Sequence, residues 1–174
     1  MRRGLIALAP LVVVCCACAG PSPVSDGGRP TGDPPSPARA FDARVERVVD
    51  GDTLIATTGG RAVRVRLIGI DAPESVQPDA PVECYGRAAS DVLERLLPAA
   101  TAVRAAYEAG GRRDRFGRDL WDVWLPDGTF VQAELVRVGA AEARAYPPHT
   151  EHADRLDRAE RRARDADAGL WGAC

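Results

Sequence analysis

Three short runs of β-favouring residues, separated by turn signals, constrain the fold more than any other feature of this chain. Apolar and charged residues alternate over 41–46, a pattern typical of a half-buried strand. Two further β-rich runs, 54–57 and 62–70, flank Thr58-Gly59-Gly60, which is the chemistry of a hairpin turn. We therefore expect three consecutive antiparallel strands at the start of the folded region.

The rest of the chain alternates helical and strand patterns. Apolar residues recur at helical spacing over 85–97, where Pro98 stops the pattern. Residues 102–107 and 120–125 indicate a second pair of strands, and 130–138 and 149–168 indicate two more helices. Five strands with helices inserted and appended predict an α+β, β-rich fold: a five-stranded Greek-key barrel of the OB type with three helices.

The N-terminus has the form of an export signal. Residues 4–19 carry no charge and follow two arginines, a run too short for a comfortable transmembrane helix but suited to a secretory signal. Cleavage after Ala17-Cys18-Ala19 and lipidation at Cys15, Cys16 or Cys18 both remain open. We expect an exported protein, either secreted or anchored as a lipoprotein to the outer face of the cell membrane.

Composition divides the chain into three parts. Thirteen of the eighteen residues from 20 to 37 are Pro, Gly or Ser, which cannot bury enough apolar surface to become ordered. The predicted organisation is a signal peptide over 1–19, a disordered linker over 20–40 and one domain over 41–174.

Two cysteines remain in the domain whichever signal is used. Cys84 and Cys174 form an even pair in an exported chain, which favours a disulfide closing a loop of 91 residues. Two independent free thiols are the alternative.

The charge balance excludes a global basic field. All 23 basic residues are arginines and they face 25 acidic residues, for a net charge of −2. A protein that binds nucleic acid by non-specific attraction needs a strongly positive surface. Any recognition of phosphate must therefore be local.

Carboxylates are concentrated at two strand ends. Asp50-Gly51-Asp52-Thr53 precedes the second strand, and Asp71-Ala72-Pro73-Glu74 follows the third. Each segment alone is ordinary turn chemistry, but a hairpin would bring the two side by side, where carboxylates repel unless a cation lies between them. Oxygen-only ligands favour Ca²⁺ or Mg²⁺ over zinc.

Two arginines at separate positions complete a phosphate-directed pattern. Arg66 lies on the same strand face as Arg64, opposite the apolar residues, and Arg118 ends a loop over 111–119 that holds four arginines. Planar guanidinium donors and a divalent cation stabilise the charge that develops when a phosphodiester is cleaved, and a carboxylate such as Glu74 could activate water.

These segments occur together in an order that resembles one known family. The chain resembles the thermonuclease family, the staphylococcal nuclease-like proteins, over nearly everything from Phe41 onward. The matching segments are Val48-Val49-Asp50-Gly51-Asp52-Thr53, residues 64–74, Tyr85-Gly86, Asp114-Arg115-Phe116-Gly117-Arg118 and Leu170-Trp171.

The resemblance implies a Ca²⁺-dependent phosphodiesterase that acts on DNA and RNA and releases 3′-phosphorylated products. It assigns Ca²⁺ to the carboxylates of Asp52 and Asp71 and to the backbone carbonyl of Ala72, which stands where better-known relatives have threonine.

The same resemblance implies how the substrate is held and cleaved. Arg66 and Arg118 would clamp the scissile phosphate, and Glu74 would act on the water as base or as positioner. Arg115 and Phe116 would contact the substrate, although Phe116 lacks the hydroxyl of the usual tyrosine.

Tyr146 lies near the position of a base-stacking tyrosine. Nucleic acid is the expected partner, and nothing in the pattern requires a partner chain, so we expect a monomer. The alternative function is a catalytically silent OB module that binds nucleic acid or a protein outside the cell.

Four other conspicuous residues are interpreted structurally. His149 and His152 lie on a predicted helix without obvious ligand partners and are expected at the surface. Trp121 and Trp124 are expected in the core.

Overall fold

The computed structural model describes residues 40–76 and 81–174. The predicted signal peptide, and all of the predicted linker except Ala40, lie outside the described residues. Within the described ranges, no helix is long and apolar enough to span a membrane.

The described residues form seven strands and four helices. The strands are β1 (Ala40–Val48), β2 (Thr53–Thr58), β3 (Arg61–Leu67), β4 (Ile70–Asp71), β5 (Ala102–Ala106), β6 (Asp119–Trp124) and β7 (Glu142–Ala143). The helices are α1 (Gly86–Leu96), α2 (Val131–Arg137), α3 (Ala153–Asp165) and the single turn α4 (Leu170–Ala173).

Five of the strands close into a barrel in the order β1-β2-β3-β6-β5. Every pairing is antiparallel except that of β3 with β6, which is parallel and closes the barrel. The predicted five-stranded OB-type barrel with three helices is therefore confirmed; α4 adds one further turn at the C-terminus.

The turn between β2 and β3 fixes the register that positions the site. Gly59 and Gly60 both have positive φ, 55° and 75°, which the two central residues of this hairpin turn require. The pairing then runs from Thr58 opposite Arg61 to Thr53 opposite Arg66. This register brings the 50–53 turn next to the end of β3.

One strand predicted from the sequence is two separate strands in the structure. The β-rich run 62–70 was expected as one strand, but β3 ends at Leu67 and Gly69 reverses the chain with φ of 77°. Ile70–Asp71 instead pairs with Glu142–Ala143 as β4 and β7. Two-residue strands carry no detectable alternation, so this pairing could not be found from the sequence.

The core lies inside the barrel and under the helices. Trp121 and Trp124, expected in the core, are 0% and 2% exposed. The last long helix was expected over 149–168, but α3 begins at Ala153, with His152 at its N-cap. His149 therefore lies in the preceding turn.

Candidate active site

A close backbone approach brings the two acidic segments together. A Cβ added to Gly51 would lie 2.6 Å from the Cβ of Ala72 and 3.0 Å from the Cβ of Ala89. Only glycine allows this contact, because real Cβ atoms do not approach so closely. The glycine between Asp50 and Asp52 thus lets the 50–53 turn lie against the segment after β4.

Asp52 is held in place by a set of hydrogen bonds. Its Oδ2 accepts from the backbone N–H of Ala72 at 2.9 Å, and its Oδ1 accepts from the hydroxyl of Thr53 at 3.0 Å. The N–H of Asp52 donates to Oδ1 of Asp50 at 3.1 Å. The carboxylate is 9% exposed and points to the start of the second acidic segment.

Arg66 joins the two predicted metal ligands through one nitrogen atom. Its Nη2 lies 2.9 Å from Oδ2 of Asp52 and 2.8 Å from Oδ1 of Asp71. Its Nη1 donates to the carbonyls of Leu67 and Ile70, each at 2.8 Å. Three of the five guanidinium N–H bonds therefore donate hydrogen bonds to the protein, and the ion pair with Asp52 is added to them, which fixes the orientation of the planar group.

The environment of Asp52 opposes its negative charge. The pKa of Asp52 is raised to about 7, because burial and the nearby Asp50 raise it by more than Arg66 and the hydrogen bonds from Ala72 and Thr53 lower it. One guanidinium does not compensate the carboxylates of Asp50, Asp52 and Asp71.

The donors of this centre are of the kind that a hard cation prefers. One carboxylate oxygen of Asp52 and one of Asp71 contact the same nitrogen, at 2.9 and 2.8 Å. The donors are all oxygens, which is the ligand chemistry of Ca²⁺. In the structure Ala72 donates its backbone N–H to Asp52, whereas its predicted contact with Ca²⁺ uses its backbone carbonyl.

Arg118 is held in its loop by a residue that the sequence did not single out. The Nε of Arg118 donates to Oδ2 of Asp114 at 2.7 Å, and Oδ1 of Asp114 accepts the backbone N–H groups of Phe116 and Arg118 at 2.9 Å. Burial alone would raise the pKa of Asp114, but these hydrogen bonds and the charge of Arg118 hold it below its usual value.

The parallel pairing of β3 and β6 determines where this loop ends. Arg66 pairs with Leu120, so Arg118 lies two residues before the partner of Arg66. In this register Arg118 is level with Arg64 and lies just before β6, whereas the guanidinium of Arg66 reaches the carbonyls of Leu67 and Ile70 at the other end of the pair. The described contacts do not join the two arginines. Asp114 belongs to the 114–118 motif of the family resemblance, and its spacing of four residues from Arg118 in a turn is a further sequence signal.

Glu74 is turned toward its own loop. Its Oε1 accepts the N–H groups of Ser75 and Val76 at 2.9 and 2.8 Å, and its own N–H donates to Glu83. A Cβ on Gly86 would lie 2.4 Å from the carbonyl oxygen of Glu74, so α1 begins directly against this segment. The described contacts place Glu74 next to the acidic segment but do not join it to Arg66 or Asp52.

The predicted substrate contacts are exposed. Phe116 is 69% exposed and lies between two guanidinium groups, with Arg115 at 4.7 Å and Arg118 at 5.5 Å from its ring centroid. Tyr146 is 57% exposed and lies shortly after β7. Arg144, which the sequence did not single out, extends from the end of β7 to within 3.9 Å of Asp71.

The two domain cysteines lie at bonding distance. Their sulfur atoms are 2.11 Å apart, so the covalent link joins the segment before α1 to the end of α4. This contact ties the C-terminus to the chain that leads from the acidic segment into α1.

The prediction that both histidines lie at the surface is wrong, since their side chains are only 12% and 21% exposed and each lies near a buried carboxylate. His149 Nδ1 lies 3.8 Å from Oε2 of Glu108, and His152 Nε2 lies 3.7 Å from Oδ2 of Asp122. Burial lowers the pKa of His152 below its usual value. The prediction failed because the carboxylates come from β6 and the end of β5, which are distant in sequence.

Comparison with known proteins agrees with this geometry. The family model described as "Staphylococcal nuclease homologue" matches residues 64–173. A thermonuclease of Staphylococcus intermedius is 38% identical over 145 residues, covering 80% of this chain and 84% of the relative.

Two further relatives extend the comparison. A thermonuclease of Staphylococcus hyicus is 38% identical over 128 residues, covering 74% of each chain. The SPbeta prophage-derived endonuclease YokF of Bacillus subtilis (strain 168) is 34% identical over 131 residues, covering 75% of this chain and 44% of the relative.

Proposed function

The chain belongs to the staphylococcal nuclease family and is a nuclease, and from this premise we propose that it is a Ca²⁺-dependent phosphodiesterase that hydrolyses both DNA and RNA to 3′-phosphorylated products. The observation that carries the proposal is the contact of Asp52 and Asp71 with one nitrogen of Arg66. It supports a single centre in which carboxylates and a phosphate-binding guanidinium meet.

Asp52, Asp71 and the carbonyl of Ala72 would hold Ca²⁺. The bound ion would supply positive charge where negative charge develops on the phosphate oxygens. The oxygen-only donor set and the excess of carboxylates over guanidinium groups support this assignment.

Arg66 and Arg118 would bind the scissile phosphate. Nη2 of Arg66 would donate to a phosphate oxygen once the two carboxylates are engaged by Ca²⁺, while the carbonyls of Leu67 and Ile70 keep the planar group in its orientation. Asp114 would orient Arg118 in the same way, because it accepts a hydrogen bond from the Nε of Arg118. Fixed donors are effective because they need not reorganise as the transition state forms.

Glu74 would orient or deprotonate the attacking water. Its Oε1 accepts the two loop amides, so its Oε2 is the oxygen that would contact the water. Attack of water at phosphorus that breaks the bond to the 5′ oxygen leaves one product with a 3′-phosphate and the other with a 5′-hydroxyl. The chemistry of the two new ends therefore identifies the bond that breaks.

Arg115, Phe116 and Tyr146 would contact the polymer around the reacting phosphate. Tyr146 offers an exposed ring for stacking with bases, and the two guanidinium groups over the ring of Phe116 offer charge for the backbone. Stacking does not distinguish sugars, which is consistent with action on both DNA and RNA.

We further propose that the chain acts outside the cell as a monomer, after export by its N-terminal segment or while tethered there by a lipid. The pairing of Cys84 with Cys174 supports an oxidising compartment.

An activity assay with matched variants tests the proposal. The purified chain should degrade single-stranded DNA and RNA in Ca²⁺, should stop on addition of a chelator, and should leave 3′ ends that block a ligase until a phosphatase is added. Arg66→Ala and Asp52→Asn should lower kcat by at least about 10²-fold.

Arg64→Ala and Asp91→Asn are the matched controls. Arg64 is an exposed arginine two residues before Arg66 on the same strand face, and Asp91 is an exposed carboxylate on α1. Both should retain full activity. Wild-type rates in Arg66→Ala and Asp52→Asn would refute the mechanism, and binding of nucleic acid without cleavage would establish the silent OB module instead.

A further inference from the structure

Two carboxylates and an imidazole meet at a second place, apart from the active site. Glu108 follows β5, Asp122 lies within β6 and His152 is the N-cap of α3. One ligand atom from each of the three lies within 4.8 Å of the other two. The barrel therefore brings three different chain segments to one point through groups that bind metals.

One carboxylate oxygen of Glu108 lacks a hydrogen-bond donor. The side chain is 4% exposed, and although the backbone N–H groups of Thr150 and Glu151 act on the carboxylate, its Oε2 is buried without a hydrogen-bond donor. The Nδ1 of His149 lies 3.8 Å from this oxygen, beyond hydrogen-bond distance, and is itself buried without a hydrogen-bond partner. A buried carboxylate oxygen in this state calls for a proton or a cation.

Two carboxylates of the cluster are buried near each other. Asp122, like Glu108, is 4% exposed at its side chain, so two carboxylates are buried within reach of each other. Two buried carboxylates repel when both are ionised. A divalent cation would neutralise the pair.

Asp122 is oriented by a buried amide. The Nε2 of Gln132 donates to the carbonyl of Trp121 at 2.9 Å and to Oδ1 of Asp122 at 3.4 Å, while its Oε1 accepts the N–H of Val123 at 3.2 Å. Support of a ligating carboxylate by a second hydrogen-bonded group is usual at protein metal sites. The contact leaves Oδ2 of Asp122 to face His152.

We propose that Glu108, Asp122 and His152 form a structural site for a divalent transition-metal ion of the zinc class. Ligand atoms bound tetrahedrally at about 2.1 Å lie about 3.4 Å apart, so the 3.7 Å between His152 and Asp122 needs little adjustment. The imidazole nitrogen favours zinc over Ca²⁺, which prefers oxygen. The site is therefore chemically distinct from the oxygen-only centre at Asp52.

An ion here would link the barrel to the start of α3. The segment between β7 and α3 carries Tyr146, which forms an isolated backbone bridge with His149. Fixing His152 to Glu108 and Asp122 would anchor the C-terminal end of that segment. Glu108 also lines a surface cleft of about 840 Å³.

Titration of the full chain with Zn²⁺ tests the site. Alkylation of the free thiols removes Cys15, Cys16 and Cys18 as competing ligands, and a parent with Asp52→Asn and Asp71→Asn removes the carboxylates of the active site. Calorimetry on this parent should show one Zn²⁺ per chain. At about a hundredfold excess of Zn²⁺ over the dissociation constant, Tm should rise by about 11 °C.

Isosteric variants and a matched control locate the ion. His152→Gln and Glu108→Gln in the same parent should each weaken Zn²⁺ binding by at least about a hundredfold, since even outer partners of a metal cost about 10–100-fold. Asp154→Asn, an exposed carboxylate in the first turn of α3, should bind as the parent does.

X-ray absorption at the zinc edge gives a measurement that does not depend on the variants. The parent should show a shell of nitrogen and oxygen near 2.0–2.1 Å that includes one imidazole. No binding, a shell without imidazole, or binding unchanged in both His152→Gln and Glu108→Gln would overturn the proposal.

Discussion

The contact at Gly51 gives a quantitative test of how the two acidic segments are brought together. In Gly51→Ala the new Cβ would lie 2.6 Å from the Cβ of Ala72, whereas carbon atoms in contact normally lie about 3.5–4.0 Å apart. The overlap is therefore about 1 Å. Neither Ala72 nor Ala89 can relieve it by rotating a side chain, so the backbone of the turn must move.

The expected cost follows from that displacement. Overpacking of this kind destabilises a protein by about 1–3 kcal/mol, offset by about 0.4–1 kcal/mol because alanine restricts the unfolded chain. A net loss of about 1–2 kcal/mol corresponds to a fall in Tm of about 4–8 °C for a domain of this size. Because Asp52 follows the moved residue, a shift of about 1 Å should also lower kcat by about 10²-fold.

A double-mutant cycle with Ala72→Gly is the control. Glycine at position 72 keeps the backbone carbonyl and N–H but removes the atom nearest to the new Cβ. The double variant should therefore recover about 1 kcal/mol relative to the sum of the two single changes, measured by urea unfolding, and part of the lost activity. A Gly51→Ala protein with wild-type Tm and rate, or strictly additive losses, would refute the close approach.

Two further predictions concern a charge and a covalent link. In the folded protein the pKa of Asp114 lies below its usual value. The contribution of this carboxylate to stability should therefore be full above the usual aspartate pKa and should be lost as the pH falls through the lower pKa of the folded state. Asp114→Asn should thus be less stable than the wild type by roughly 1–3 kcal/mol at pH 6, and its kcat should be lower because Arg118 loses its partner. The difference in stability should shrink as the pH falls below the usual aspartate pKa. A difference that does not depend on pH would exclude this role. Reduction of the bond between Cys84 and Cys174 should lower the free energy of unfolding by roughly 4 kcal/mol, because their separation of 90 residues defines a long loop. Equal urea midpoints with and without reductant would contradict that prediction.

The acidic centre shows which contacts of a site can be predicted from a sequence pattern. Asp52 and Asp71 could be paired from the sequence because a hairpin register joins the start of β2 to the end of β3. The partner of both, the Nη2 of Arg66, could not be specified, since alternation gives the face of a strand but not the contacts of a long side chain. The hydrogen bond from Arg118 to Asp114 was not predicted, for the same reason.

The second cluster lay beyond sequence reasoning altogether. His149 and His152 were expected to have no partners because no acidic pair near them in sequence suggested a ligand set. Their neighbours Glu108 and Asp122 come from the end of β5 and from β6, and only closure of the barrel brings these elements beside the start of α3.

The sequence by itself determined the local elements and the family of this protein: the strand pattern over 41–70, the glycine turn at 59–60, the helical spacing over 85–97 and the ordered motifs. These features depend on residues two to four positions apart, whose geometry the backbone repeats. Only the tertiary structure decided the β4–β7 pairing, the commitment of Arg66 to two carboxylates and the meeting of Glu108, Asp122 and His152. Those contacts join residues far apart along the chain, and their distances exist only once the barrel has closed.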